Sequence, residues 1–550
     1  VIAAWMLWAA CEGEVAPARP ADEPPEVVVP EPLPEPPDYA PLEPLRLLVR
    51  ASLDLRGVRP SLAEIAALDA DPSSLDAAID AYLDDPRFPR RVREVFDEVL
   101  LIRDEEPFVD YADLLTTRLP HELWASVAEE PTRMLERIAA EDRPYTEWVT
   151  ADWTMADEVL ADVLPVEYPA GAQGWRASRY LDGRPAAGVL VSSGWWWQQG
   201  SMLNNLNRGR ANQVSRVLLC FDYLESEIDF AGVSALSSEA ALGEAIRTDP
   251  ACAACHDTLD PIASSLYGFW WPSSAKHDLF DIQTYHPERE RLWHTLGGPP
   301  PGLHGEAVNG LADLGVRIAA EEDYARCFVE HSWRGLLRRE PAPEEEVWID
   351  EVHRAFSDSG LQIREAWRAL VRTGAWRNGA GERSPKVVTP AVLSSQIAEL
   401  TGFRWEERGW DLLRGPVQGY GPLVGGVDGI SRSTRLTEPT PTLAVVVAQV
   451  AAMAGSYVSR QDLADPDNAR LLTRVTGLER VDGGQGEASI RAQVVDLHLR
   501  IAAERLAPDD PRVDAELDLW DEIFGVTEDP TAAWAAVVTL LLRHPAVVVY

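Results

Sequence analysis

The chain has 550 residues, 46% of them apolar, and a formal charge of −39. That length exceeds what one compact core serves, so about two to four folding units are expected. The charge excludes nucleic acid, and an anionic membrane surface, as partners held by electrostatics; it suits basic partners or plain solubility.

In chain order, Val1 to Ala10 is almost wholly apolar and ends in Ala9-Ala10-Cys11. Small residues ahead of a cysteine predict bacterial lipoprotein processing, with residues 1–11 as the signal and lipidation segment and Cys11 as the lipidated residue. The competing reading is a short hydrophobic helix, too short to span a bilayer. Residues 12–44 are acidic and proline-rich, as in Glu31-Pro32-Leu33-Pro34-Glu35-Pro36-Pro37. Such a run has little to bury, so it is expected to be an extended tether.

Residues 45–240 predict a helical N-terminal domain or domains. Ser61 reads as a helix cap with Glu64 at the capping-box position, and Leu75, Ile79 and Leu83 recur on one helical face. Arg90 to Leu101 and Leu123 to Ala140 repeat that periodicity, with loops expected around Tyr168 to Ala187. Trp195-Trp196-Trp197 reads as core packing, or as alternate side chains with one left facing a partner or a sugar ring.

Cys252-Ala253-Ala254-Cys255-His256 carries the chemistry. C-x-x-C-H is the attachment sequence for c-type haem: two thiols add to the two vinyl groups of one porphyrin, and the histidine beside them becomes an iron ligand. A structural zinc site needs two more ligands, and among the five cysteines no second close pair exists. A thioredoxin-like dithiol wants a preceding strand, whereas Thr248-Asp249-Pro250 reads as a turn. One covalent haem c is therefore expected, in a cytochrome c-like domain over residues 241–376. Its helical extension is expected at Glu321 to Arg338, Glu344 to Ser359 and Gln362 to Thr373. Residues 385–550 predict a helical C-terminal domain. Its apolar run from Pro441 to Met453 reads as a buried helix, and the glycine-rich loop Gly419 to Gly429 lacks a phosphate-binding pattern.

The haem block Cys252 to Ile262, ending Asp260-Pro261-Ile262, resembles that of the large extracytoplasmic cytochrome-like proteins of planctomycetes and myxobacteria. These are built from blocks of unknown function around one C-x-x-C-H. Leu53 to Pro60, Thr150 to Thr154, Tyr324 to Cys327 with Leu336 to Arg339, and Thr389-Pro390 with Leu400-Thr401-Gly402 look similar to further blocks, in the same order. Where the family continues Glu-Asn-Phe-Asp, this chain departs, with Tyr267, Gly268, Phe269 and Trp270. The resemblance implies a haem and an extracytoplasmic place, and no substrate.

Around the iron, Asp260-Pro261 reads either as a helix stop or as an acceptor for the outer ring nitrogen of His256. The other axial ligand is expected to be Met202, which falls where the related proteins carry the histidine of Ser-His-Pro. His277, His286, His294 and His304, or an open position, are the alternatives. Arg208, Arg210 and Arg216 are candidates to neutralise haem propionates. Cys220 and Cys327 are expected as a disulfide or as two buried thiols.

The whole reads as a mostly α, multidomain helical protein with an embedded monohaem cytochrome c-like domain. Its expected function is single-electron transfer with a redox protein or an extracytoplasmic complex, from the periplasm or outer membrane surface. Two alternatives stand beside it. One is a haem oxidoreductase acting on peroxide or oxygen and a substrate, and the other is a structural subunit in which haem stabilises the fold.

Overall fold

The computed structural model describes residues 37–102, 117–199, 205–225, 238–269, 284–379, 386–415, 419–429 and 431–550. Cys11, Met202, Trp270, Trp271, His277 and residues 12–36 of the expected tether lie outside them. The described chain is mostly α, as expected, with strands confined to four short antiparallel pairs.

The expected tether ends earlier than Pro44. Tyr39 donates to Glu345 Oε1 at 2.9 Å and packs its ring on Trp348, while Ala40–Pro41 pairs with Asn378–Gly379. A phenol has surface worth burying, which the proline-acid run lacks. The first helix, Pro44–Arg56, then starts on proline, whose missing N–H costs nothing at that position.

The capping box forms at the start of Leu62–Ala70. Ser61 Oγ accepts from the Glu64 amide at 3.2 Å, and the Ser61 amide donates to Glu64 Oε2 at 2.7 Å. A cap of this kind is worth about 1 kcal/mol. Leu75, Ile79 and Leu83 are all buried on the helix Leu75–Leu83. Phe88–Val99 then packs on Pro120–Ala140 with Arg93 between them, 2% exposed and facing Asp97, Glu129 and Glu136 at 3.0–3.5 Å. Three carboxylates around one buried guanidinium supply the pairing that a buried charge requires.

Glu130, fully buried, organises the next layer. It accepts from Thr154, Tyr180, Ser192 and the Gly194 amide, the last at 3.0 Å. These bonds seat the helix Ser193–Gln198, in which Trp195, Trp196 and Trp197 are each at most 1% exposed. The reading that one of the three faces outward is therefore corrected: a helix surrounded by core buries consecutive side chains, whereas an edge strand would alternate them. Gly194 is needed there. Pro131 has no N–H for the Val127 carbonyl, the Gly194 backbone lies against that carbonyl, and a Cβ would come within 2.1 Å of it.

Further along, Glu322–Leu337, Glu346–Asp358 and Ile363–Leu370 stand where three helices were expected. Pro441–Ala464 is longer than the apolar run that predicts it. It is long and apolar enough to cross a membrane, yet half of its most apolar window is buried, against Pro530–Leu542 among others. Buried side chains from Leu45 to Val547 form one contiguous core. Asp54 joins its distant parts, accepting from Trp376 Nε1 at 2.8 Å, Lys386 Nζ at 2.5 Å and the Tyr550 hydroxyl at 2.6 Å.

Candidate haem-attachment site

The helix Pro250–Ser264 follows Glu239–Thr248 with one residue between, so a helix and not a strand leads directly into it. It carries the whole C-x-x-C-H sequence in its first two turns. Residues three and four apart share a helix face, so Cys255 and His256 both sit beside Cys252. Both thiols are free and half-buried.

His256 is held by one of its two ring nitrogens. Nδ1 lies 3.0 Å from Asp260 Oδ1, one turn further along the same face. Burial acts to raise the Asp260 pKa, but hydrogen bonds from Arg208 and His256 outweigh it and hold the carboxyl below its ordinary value. An ionised carboxylate only accepts, so Nδ1 carries the imidazole proton. Nε2 makes no hydrogen bond among the described residues. That is the arrangement found in metal-bound histidines, where the outer nitrogen is tied to a carboxylate and the inner one is free to ligate.

Of the two readings of Asp260-Pro261, the helix stop is overturned. The helix passes through Pro261 to Ser264. Pro261 leaves the Asp257 carbonyl without an N–H donor, and Asp257 is exposed, so water can replace it.

The second wall comes from the helix Arg208–Leu218. Arg208, in its first turn, forks onto Asp260 with Nε and Nη2 at 2.7 and 2.8 Å. Arg210 is buried and reaches the carbonyls of Gln199 at 3.0 Å and Phe269 at 2.9 Å, tying the end of the tryptophan helix to the turn Tyr267–Phe269 that follows the cysteine helix. Burial lowers its pKa to about 9. After the helix, the Tyr223 hydroxyl donates to Thr258 Oγ1 at 2.8 Å, a second link onto the cysteine helix. Cys220 is disulfide-bonded to Cys327, which resolves that pair and fastens this segment to the helix Glu322–Leu337.

The expected propionate partners find other partners. Arg208 is taken up by Asp260 and Arg210 by carbonyls. Arg216 donates to the Val99 carbonyl at 3.0 Å and to Gln213 at 2.7 Å. A guanidinium seeks the nearest fixed acceptor, and these lie within the fold itself. Among the alternative axial histidines, His286 Nδ1 lies 2.9 Å from Glu288 and His304 Nδ1 3.5 Å from Glu321, while His294 packs edge-on to Trp293.

Residues 61–164 match the family model PSD4, a protein of unknown function (DUF1592). No curated protein and no solved structure matches the chain. The PSD4 segment runs from the capping box through the Phe88–Val99 and Pro120–Ala140 pair to the strand Thr154–Ala156. It supplies Glu130, and with it the seat of the tryptophan helix. Cys252, Cys255 and His256 lie outside the matched residues, so the match speaks for the helical frame and not for the cysteine helix.

Sequence reasoning missed the link from Arg208 to Asp260. The two residues are 52 positions apart, and no local pattern pairs an arginine opening one helix with an aspartate inside another.

Proposed function

We propose that Cys252 and Cys255 attach one haem c covalently, that His256 ligates its iron through Nε2, and that the protein carries single electrons outside the cytoplasm. The observation behind this reading is the donor set on one helix face: two free thiols, and an imidazole whose proton is fixed on the far nitrogen by Asp260. When bound, the haem supplies a one-electron change at iron. The chain's own part is to hold and orient. Asp260 keeps the His256 proton on Nδ1, Arg208 keeps Asp260 ionised and in place, and Tyr223 and Arg210 fasten the cysteine helix to its neighbours.

The Cys220–Cys327 disulfide supports an oxidising compartment. The PSD4 match supports the likeness to the planctomycete and myxobacterial cytochrome-like proteins. Met202 is our proposal for the second residue that would ligate the iron, and lipid on Cys11 for the membrane tether.

The test is haem staining of the denatured chain on a gel. Stain should persist in the parent and vanish in C252A/C255A; stain retained by that double variant overturns the attachment. Spectra of reduced parent with and without carbon monoxide then sort the chemistry. No ligand uptake by the parent, with uptake opened by M202A, supports electron transfer with Met202 on iron. Ready uptake by the parent supports the oxidoreductase reading.

A further inference from the structure

Away from the cysteine helix, a cavity of about 360 Å³ opens between residues 56–94 and residues 395–470. In a chain of formal charge −39, its wall is built from six arginines, Arg56, Arg87, Arg90, Arg91, Arg404 and Arg470, against two acids, Glu94 and Glu399. Part of that charge is spoken for. Arg56 pairs with Glu64 at 2.8 Å, and Arg87 pairs with Asp85 at 2.7 Å. Glu94 is shared by Arg90, at 2.9 Å, and Arg91.

The obvious structural explanation is that these arginines complement helix ends. The cavity receives the C-termini of Pro44–Arg56 and Pro390–Thr401, each capped by a left-handed glycine, Gly57 and Gly402. A helix C-terminus carries roughly half a negative charge, so two account for about one of the positive charges. They do not account for the surplus donors. Among the described residues, Arg90 uses only Nε, Arg87 only Nε and Nη2, and Arg470 only Nη1, on the Glu399 carbonyl. The guanidinium of Arg404, an exposed residue, has no hydrogen-bond partner among the described residues.

The backbone is also shaped to let the arginines in. A Cβ on Gly57 would stand 3.0 Å from Arg91 Cδ, and one on Gly402 would stand 3.3 Å from Arg470 Nε. Both glycines have positive φ, where other residues are strained. The lining holds no aromatic side chain, so nothing there would reward an apolar or stacking ligand.

We infer that this cavity binds a small, wholly polar polyanion: a molecule carrying several oxyanion groups, of the phosphorylated or polycarboxylated kind. Separated guanidinium forks suit several oxyanions at once, and the volume equals that of roughly a dozen waters, too large for one inorganic ion to fill.

Isothermal titration of the full chain at constant ionic strength tests this, with glucose 6-phosphate, citrate, inorganic phosphate and inorganic sulfate as probes. Saturable binding of glucose 6-phosphate or citrate is expected, and which of the two binds tells phosphate from carboxylate chemistry. The R90Q/R404Q variant, altered at two solvent-reaching arginines, should fold as the parent does by circular dichroism and bind about tenfold more weakly or worse. R512Q, at an exposed arginine paired with Asp510 elsewhere, should bind like the parent. No saturable binding of either organic probe, binding confined to the inorganic ions, or binding unchanged in R90Q/R404Q would each overturn the assignment.

Discussion

Arg208 and Asp260 meet through two parallel hydrogen bonds of 2.7 and 2.8 Å, and the same carboxylate holds His256 Nδ1 at 3.0 Å. The three side chains form a relay whose members would act with opposite sign on the haem iron that we propose His256 holds. The carboxylate draws the imidazole proton and enriches Nε2 in electron density; the guanidinium draws on the carboxylate and limits that gift. With haem attached, Asp260→Asn should raise the reduction potential, because the ferric state loses a negative charge and a strong donor. Arg208→Gln should lower it. Each shift is expected to be some tens of millivolts, given that about 59 mV corresponds to a tenfold change for one electron. Redox titration of both variants checks this; shifts of the same sign would point to general damage to the site.

The disulfide closes a loop with a sequence separation of 107 residues. Chain-entropy arguments put the stabilisation from a loop of that length at about 4–5 kcal/mol. C220A/C327A should lose stability of that order in urea unfolding, and mild reduction of the parent should give the same midpoint as the variant.

His331 stands beside this bond and donates Nε2–H to the Val217 carbonyl at 3.1 Å. Burial, with Arg334, Arg216 and Arg435 nearby, lowers its pKa to about 3. The unfolded chain, with an ordinary histidine near 6.5, binds this proton first. Stability therefore falls as pH drops from about 6.5 towards 3, by about 1.4 kcal/mol per pH unit from this group alone. His331→Gln keeps an N–H donor and does not titrate. Its unfolding free energy should depend less steeply on pH in that window than the parent's, and an unchanged slope would show that another group controls it.

Gly194→Ala places a methyl group within 2.1 Å of the Val127 carbonyl oxygen. Neither backbone can yield without disturbing the Glu130 bonds, so a loss of about 1–3 kcal/mol or more is expected. Altered fluorescence from the buried Trp195 to Trp197 group should accompany it.

Local features of the fold were legible in the chain. Ser61 with Glu64, and Leu75 with Ile79 and Leu83, each act within a turn or two, where residue spacing and geometry are the same information. The C-x-x-C-H helix face is legible for the same reason. What was not legible is long-range. Trp195 to Trp197 are buried together because Glu130, about sixty residues earlier, seats their helix. Pro261 does not end its helix because the lost bond falls on an exposed carbonyl. The arginine-lined cavity draws Arg56 to Arg91 from one end of the chain and Arg404 and Arg470 from the other. Nothing within either stretch announces the meeting.

The cysteines pose a sorting problem during maturation. The four cysteines of the described residues could pair in three ways, yet the native molecule keeps one bond, Cys220–Cys327, and two free thiols at Cys252 and Cys255 enclosed in its loop. Burial of one partner, Cys327, is part of that sorting. Cys327 is 1% exposed, while Cys220, Cys252 and Cys255 are all half-buried. A thiol reagent arriving after folding finds Cys252 and Cys255 free and Cys220 joined to a buried partner, so the two thiols that we propose for haem attachment are the ones open to modification.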